Sequence, residues 1–200
     1  MNKLILSFLA VIVLGVSSVS AQKKDSLSFD DRDRYIYYQV AEEPMLNADT
    51  LYKRAQYFLK NGFESERLKP SKEDNGKATL TGKGGFMVSK KALVSKQDDA
   101  RISFTMVIEV KDGKYRYWFT DFVAQPYKRD RYANYSPSNE KKIPMEQGLR
   151  RLGQRTLDDY LEQILTNCRN MSGVLRAYMQ KVSGSPKDEA VKKSVTTKEW

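Results

Sequence analysis

Few side chains in this sequence could carry catalysis, and the missing residue types narrow the chemistry further. The 200-residue chain contains no histidine, which excludes Ser-His-Asp and Cys-His catalysis and every histidine-containing zinc site. Its one cysteine, Cys168, falls on the apolar stripe of a predicted helix, where we expect a buried, inert thiol. A single cysteine forms no intramolecular disulfide. We therefore expect no metal site, no bound cofactor and no catalytic residues.

A glycine-rich segment and three pairs of adjacent acids are the remaining candidates for chemistry. Gly82-Lys83-Gly84-Gly85 lacks the G-x-x-x-x-G-K-[ST] spacing of a phosphate-binding loop, and strand-forming residues follow it. We interpret it as a glycine bulge that bends a sheet over a helix. Adjacent acids point apart and stay hydrated, whereas a glycosidase holds two carboxylates across a cleft. The acid pairs are Asp30-Asp31, Asp98-Asp99 and Asp158-Asp159.

Aromatic and basic side chains form the best candidate for an interaction surface. Four aromatic residues are predicted to share the sheet face opposite the helices, where a contiguous exposed patch would indicate an interface. The loop at 125–144 mixes rings with guanidinium groups, which suits sugars and anionic groups. In the alternative interpretation, the loop or the chain termini cover the aromatic patch, and the loop is an ordinary solvated insertion. The candidate residues are Tyr35, Tyr37, Trp118 and Phe122 on the sheet, and Tyr127, Arg129, Arg131 and Tyr132 in the loop.

Hydrophobic periodicity predicts the order β-α-β-β-β-β-α for the elements that position these residues. Asn47 or Asp49 caps the first helix, and Gly62 stands where a helix commonly stops. The last helical stretch is longer than a small domain is wide, so a kink or stop is expected at Gly173. The predicted elements are a strand at 34–42, a helix to Asn61, an edge strand at 63–72, a strand at 77–88, a polar loop at 89–100, strands at 101–110 and 114–124, and helical residues 145–182.

The clearest local structure is a hairpin that turns at Asp112-Gly113, the pair that a type I′ turn prefers. In the register set by that turn, apolar residues of both strands line one face and form the core. Asp121 falls on this apolar face, which predicts either a bulge near it or a position at the sheet edge. The predicted pairs are Val110 with Tyr115, Ile108 with Tyr117, Met106 with Phe119, Ile102 with Val123, Val107 with Trp118, and Ser103 with Phe122.

The first 21 residues have the composition of an export signal. Lys3 precedes an apolar run at 4–16, and Val19-Ser20-Ala21 supplies the small residues that a signal peptidase accepts. The run is shorter than the about 20 apolar residues that a bilayer span needs. Gln22, rather than a cysteine, follows the cleavage point. We expect a periplasmic or extracellular protein without a lipid anchor and without a transmembrane segment in the mature chain.

The mature chain is predicted to be one basic domain with two tails. Lys3 is the only charged residue of the signal, so its removal takes the formal charge from +10 to +9. Because the basic residues are interleaved with acids, we expect no nucleic-acid binding; an envelope protein, an anionic glycan or a lipid headgroup fits better. The predicted parts are a flexible lead-in at 22–33, a single domain at 34–182 with 125–144 as a loop insertion, and a disordered tail at 183–200.

Three stretches of the chain carry a family resemblance: YYQVAEEPMLNADTLYKRAQYFLKNGF at 37–63, LTGKGGFMV at 80–88 and ISFTMVIEVKDGKYRYWFTDF at 102–122. They resemble the exported bacterial family called domain of unknown function 4468, described as having a TATA-binding-protein-like (TBP-like) fold. The resemblance implies an α+β, TBP-like domain, in which a curved antiparallel sheet has helices packed on one face and a long C-terminal helix. It also implies export, and it assigns neither an activity nor catalytic residues.

These observations favour a non-enzymatic binding or structural module of the cell envelope that uses the open sheet face and the basic aromatic loop. One alternative is an envelope hydrolase acting on glycan or peptidoglycan, which needs two carboxylates in a cleft or a Ser-Lys pair. Another is a structural module that oligomerises through its last helix. The sequence leaves all three open.

Overall fold

One antiparallel sheet with helices on one side accounts for the part of the chain that the structure describes. The computed structural model describes residues 27–64, 67–91, 96–131 and 134–180. The predicted signal peptide, residues 22–26 of the lead-in, Tyr132 and the predicted tail at 183–200 lie outside these ranges. Within them, the predicted α+β architecture with a curved sheet and a long C-terminal helix is confirmed.

In the described part of the chain, the sheet has eight antiparallel strands, which lie in the order β1-β2-β6-β5-β4-β3, with β7 and β8 also paired to β6. Sequence neighbours therefore lie side by side from β3 to β6, and β2 is placed against β6 by a longer connection. The strands are β1 at Ser28–Phe29, β2 at Tyr35–Glu42, β3 at Leu68–Asp74, β4 at Thr79–Lys91, β5 at Lys96–Lys111, β6 at Lys114–Arg129, β7 at Tyr135–Pro137 and β8 at Ile143–Pro144.

Several strands extend beyond their predicted ends, so parts of three predicted irregular segments are wrong. The predicted polar loop at 89–100 contains the ends of β4 and β5, and the predicted insertion at 125–144 contains the end of β6 with β7 and β8. The predicted flexible lead-in contains β1. These ends consist mostly of polar residues outside the core, so backbone pairing maintains them without the hydrophobic alternation that identifies a strand in sequence.

Within the described residues, three α-helices accompany the sheet: α1 at Ala48–Asn61, α2 at Gly148–Leu152 and α3 at Gln154–Gln180. The predicted cap of α1 is confirmed, because the Asn47 side-chain oxygen accepts a hydrogen bond from the Thr50 N–H at 2.9 Å. The predicted stop at Gly173 is wrong, because α3 continues through this residue. The helical stretch is interrupted at Gly153, whose φ of +80° favours glycine, whereas Gly173 lies exposed inside α3.

The core lies between one face of the sheet and the helices α1 and α3. The apolar residues of α1 recur on one side of the helix, and that side is buried: Leu51, Ala55, Phe58 and Leu59. The strands β4, β5 and β6 each present alternate side chains to it. From α3, the side chains of Leu157, Ile164, Cys168 and Leu175 are buried. Both helices therefore cover the same sheet face, and the opposite face has no helix in the described ranges.

A bulge at Asp121 divides the central hairpin into two registers. Asp121 has a φ of +57°, and the register of β5 against β6 shifts beside it. The predicted bulge is therefore confirmed. The predicted pairs of Ile102 with Val123 and of Ser103 with Phe122 are wrong, because each residue of β5 lies opposite the next residue of β6, Ala124 and Val123 respectively. The observed pairs on either side of the bulge are Thr105 with Thr120 and Ser103 with Val123, while Val110 with Tyr115, Ile108 with Tyr117, Met106 with Phe119 and Val107 with Trp118 stand as predicted.

The glycines of β4 permit close packing rather than forming a bulge. The β4–β5 register runs without a shift through 82–85, so the predicted glycine bulge is wrong; the irregularity lies on β3, between Pro70 and Lys72. A Cβ on Gly84 would overlap with the Arg67 carbonyl oxygen, whose chain approaches β4 closely enough to accept a hydrogen bond from Gly85 at 3.1 Å. The glycines therefore admit neighbouring backbone and side chains.

Candidate functional site

The candidate site is the sheet face opposite α1 and α3, which we call the open face. Each of its residues alternates along a strand with side chains of the core, and strand register places these residues beside one another. The open face comprises Ile36, Tyr38 and Val40 of β2, Arg116, Trp118 and Thr120 of β6, Thr105, Val107 and Glu109 of β5, Thr79, Thr81 and Lys83 of β4, and Lys69 and Lys72 of β3.

Two of the four aromatic residues predicted on this face lie in the core instead. Tyr37 is 1% exposed and lies opposite Phe119 of β6, with the two ring centroids 6.0 Å apart. Phe122 is fully buried because the bulge at Asp121 shifts the following residues of β6 to the other face. Both predicted positions on the open face are wrong. For Tyr37, alternation separates the two sides of β2 without saying which one is buried; for Phe122, the bulge reverses the alternation.

Tyr35 and Trp118 complete the predicted aromatic set. Tyr35 lies on the same side of β2 as Tyr37, so its predicted position on the open face is also wrong. It is half-buried there, and its N–H donates a hydrogen bond to Glu146 Oε1 at 3.0 Å. Trp118 lies on the open face as predicted, and is half-buried.

Sequence reasoning missed the most exposed apolar residues of the open face, which belong to β2. Tyr38 is 45% exposed and Val40 is 52% exposed. Tyr38 lies opposite Trp118, with ring centroids 6.4 Å apart and ring planes at 30°. The signal was present in the alternation of 35–41, but only the pairing of β2 with β6 shows that the even-numbered side joins Trp118.

Arg116 connects the aromatic pair to the polar part of the open face. Its Nε donates a hydrogen bond to Glu109 Oε2 at 2.6 Å, and its guanidinium carbon lies 5.7 Å from the Trp118 ring centroid. Hydrogen bonds to Glu109 and to the Tyr38 hydroxyl raise the pKa of the Arg116 guanidinium above its ordinary value. The two aromatic side chains therefore flank a cation that three groups hold in place.

Two of the hollows lined by described residues open on this face, and Tyr38 and Arg116 line both of them. The hairpin hollow has a volume of about 230 Å³ and reaches Lys111 and Lys114 beside the β5–β6 turn. The loop hollow has a volume of about 510 Å³ and reaches the β1–β2 loop. Thr120 lines the loop hollow, and its buried hydroxyl has no hydrogen-bond partner among the described atoms. Both hollows therefore combine aromatic and charged walls.

Acids of the loop hollow are held by arginines. Asp30 accepts hydrogen bonds from Arg32, and Asp121 forms an ion pair with Arg34. Desolvation alone would raise the pKa of Asp30, but hydrogen bonds from Arg34 and Arg32 outweigh it and lower this pKa below its ordinary value. A glycosidase acid needs a raised pKa, so Asp30 has the opposite property.

The other predicted acid pairs lie apart from the open face or are solvated. Asp99 accepts a hydrogen bond from the Tyr160 hydroxyl and forms an ion pair with Lys90 at 2.9 Å. Asp158 is exposed and accepts a hydrogen bond from Gln154 at 2.7 Å. Across the residues that the structure covers, no three carboxylate or thiol groups cluster as metal ligands.

The basic aromatic residues predicted in a loop are separated from the open-face aromatic residues. Tyr127 and Arg129 belong to β6 and pair with β7, and both Arg129 and Arg131 are exposed. Tyr127 follows Trp118 by nine positions, which corresponds to about 30 Å along a strand. The structure therefore does not join the two halves of the predicted interaction surface, and Tyr132 lies outside the described residues.

Cys168 is buried on α3, as predicted. Burial raises the pKa of its thiol, which opposes formation of the reactive thiolate. The described helices include none that is long and apolar enough to cross a membrane.

Comparisons with known proteins confirm the TBP-like fold. The sequence profile described as "Domain of unknown function (DUF4468) with TBP-like fold" matches residues 37–125. A TBP-like protein from Parabacteroides distasonis ATCC 8503 is similar in structure, with 13% identity, a TM-score of 0.57 and coverage of 75% of this chain and 95% of that chain. A DUF4468 family protein from Bacteroides ovatus ATCC 8483 has 10% identity, a TM-score of 0.60 and coverage of 80% and 94%. No curated protein matches this sequence.

Proposed function

We propose that this chain, whose residues 37–125 match the DUF4468 domain with TBP-like fold, is an exported cell-envelope protein that binds a partner through its open face. The observation that carries the proposal is the exposed cluster of Tyr38 and Val40 beside Trp118. The helices leave these apolar groups uncovered. A partner that removes them from water lowers the free energy of the complex, which favours binding.

The N-terminal composition supports the location. Residues 1–21 combine Lys3, an apolar run and small residues before Gln22, which is the pattern of a cleaved signal. A chain that works outside the cytoplasm meets envelope polymers and envelope proteins rather than nucleic acid. Release without a lipid anchor is part of the proposal.

The charged groups of the open face support binding over hydrolysis. Arg116 is held by Glu109, Tyr38 and Trp118, so its position is set before a ligand arrives, which lowers the entropic cost of binding. The carboxylates of Asp30 and Asp121 in the loop hollow are ion-paired with arginines instead of being held as a proton donor. The apolar stripe of α3 packs into the core, so it does not offer an oligomerisation surface.

The test is co-sedimentation of the purified protein with cell-wall and membrane fractions of the producing cells. We expect Tyr38→Ser/Val40→Thr to reduce the sedimented fraction by about tenfold, which corresponds to a loss of about 1.4 kcal/mol of binding free energy when two partly exposed apolar side chains are replaced. Leu149→Ser is the matched control, because Leu149 is 57% exposed on α2, outside the open face. Equal sedimentation of all three proteins, with unchanged far-UV circular dichroism, would refute the proposal.

A further inference from the structure

We infer that the open face binds a linear acidic polysaccharide, with a carboxylated sugar seated in the hairpin hollow. The inference rests on the proposed function and names the ligand class of the same face. It begins from the charge of the hollow. Lys111 and Lys114 are exposed on either side of the Asp112-Gly113 turn, and neither forms an ion pair with a described residue.

Among the described residues that line the hairpin hollow, the one acid is already engaged. Glu109 accepts the hydrogen bond of Arg116 at 2.6 Å, so it does not neutralise either lysine. Glu42 lies opposite Lys114 in the β2–β6 ladder, but the two form no ion pair in the described structure. The hollow therefore keeps a net positive charge from the two lysines. A carboxylate complements this charge, because each compact lysine ammonium group can bind one of its oxygens.

The walls of the hollow suit a sugar ring. Tyr38 and Val40 supply an aromatic and an aliphatic surface, and the volume of about 230 Å³ is that of a small pocket. An aromatic ring with a hydroxyl at its edge offers an apolar face and a polar tip together. A carboxylated sugar presents the matching combination of C–H faces, hydroxyl groups and charge.

A row of side chains extends from this hollow across five strands. Register places Tyr38, Trp118, Val107, Thr81 and Lys72 beside one another on the open face. At about 4.8 Å between strands, the row is about 19 Å long. It begins with two aromatic rings and ends at an exposed lysine on the edge strand. Its length, its hydroxyl group and its terminal cation fit a polymer better than a single sugar.

The acids at the other end of the same face disfavour an anionic membrane as the occupant. Asp30 and Asp31 line the loop hollow beside Asp121. A flat anionic bilayer would bring many charges against the lysines and these carboxylates together. A linear polymer that follows the row passes only along the side of the loop hollow that Tyr38, Val107 and Trp118 line, and its carboxylates can lie at the lysine ends of the row. The structure therefore favours the polysaccharide over the lipid headgroup.

Affinity electrophoresis of the purified protein tests the inference, with polygalacturonate as the acidic probe and dextran as the neutral one. We expect polygalacturonate alone to retard the protein, and added salt to weaken the retardation. Lys111→Gln/Lys114→Gln should weaken binding by about tenfold and Lys72→Gln by about threefold, as expected for exposed charge pairs. Lys53→Gln/Lys60→Gln removes the same charge from the outer surface of α1 and should leave binding unchanged.

Each other outcome overturns the ligand assignment. Equal retardation by dextran, binding unchanged in Lys111→Gln/Lys114→Gln, or binding to phosphatidylglycerol vesicles without binding to polygalacturonate would each do so. If Tyr38→Ser/Val40→Thr still abolishes sedimentation with the envelope while polygalacturonate fails to bind, only the ligand class is wrong. If that sedimentation is also insensitive to the open face, the proposed function fails as well.

Discussion

The side-chain amide of Gln163 on α3 forms two hydrogen bonds with the backbone of Ser89 on β4. Gln163 Oε1 accepts from the Ser89 N–H at 3.0 Å, and Gln163 Nε2 donates to the Ser89 carbonyl oxygen at 3.0 Å. Ser89 lies at the register shift between β4 and β5, where the ladder is irregular. The helix therefore satisfies backbone groups that the sheet leaves available, and it is fixed to β4 by a polar contact as well as by the core.

Replacing Gln163 with leucine should destabilise the protein. Gln163→Leu leaves the half-buried Ser89 N–H and carbonyl without these partners, so we expect the free energy of unfolding to fall by about 2 kcal/mol. Denaturant unfolding followed by circular dichroism measures the change. Gln154→Ala removes an exposed amide from the same helix and should change stability by less than about 0.5 kcal/mol. Equal effects of the two variants would contradict the role of Gln163.

Two tyrosine-to-phenylalanine variants should have different effects on stability. Tyr160 donates a hydrogen bond to Asp99, so Tyr160→Phe should lower the free energy of unfolding by about 2 kcal/mol. The Tyr115 hydroxyl is buried without a partner among the described residues, so Tyr115→Phe should leave stability unchanged or raise it by about 1 kcal/mol. Denaturant midpoints of both variants, measured with the parent protein, decide the matter. A loss in Tyr115→Phe as large as in Tyr160→Phe would show that the Tyr115 hydroxyl is paired.

Stability should decrease at alkaline pH. Burial raises the pKa of Tyr115 and Tyr160 above the ordinary value of 10.0, and the hydrogen bond to Asp99 raises that of Tyr160 further. Below pH 10.0 both phenols are protonated in the folded and unfolded chains. Above it the unfolded chain releases these protons while the folded chain retains them, so the stability they contribute is lost as pH rises.

The measurement is the thermal midpoint across that range, together with tyrosinate absorbance. We expect the midpoint to fall above pH 10.0, and Tyr160→Phe to show a shallower fall. Ionisation of every phenol before unfolding begins would contradict the prediction, because it would show that neither buried tyrosine resists deprotonation.

Alanine at two glycines should act in opposite directions. Gly84→Ala places a methyl group against the Arg67 carbonyl oxygen and should lower the free energy of unfolding by about 3 kcal/mol. Gly173→Ala adds a methyl group at an exposed helical position with nothing within 4 Å, and should raise it by about 0.5–1 kcal/mol. Differential scanning calorimetry of both variants measures the two signs. A stable Gly84→Ala protein would mean that Arg67 does not approach β4 closely.

The sequence predicted those features that depend on residues close together in the chain. Asn47 caps α1 through a contact with Thr50, three residues away, and Asp112-Gly113 sets the hairpin register within a few residues of the turn. The alternation of polar and apolar residues also predicted an irregularity at Asp121, either a bulge or a position at the sheet edge, and the structure has the bulge. These features depend on steric contacts and hydrogen bonds between residues a few positions apart, so the local sequence is enough to predict them.

By itself, the amino-acid sequence determined the two alternating sides of β2, the inner stripe of α1 and the absence of histidine chemistry. Tertiary structure alone decided which side of β2 faces water, because Tyr37 is buried opposite Phe119, which lies more than eighty positions later in the chain. Tertiary structure likewise decided that Phe122 lies in the core, that the helical stretch is interrupted at Gly153 and that the Arg67 carbonyl oxygen packs against Gly84. Each of these depends on long-range packing, and the side of a strand that becomes interior is set by what covers it.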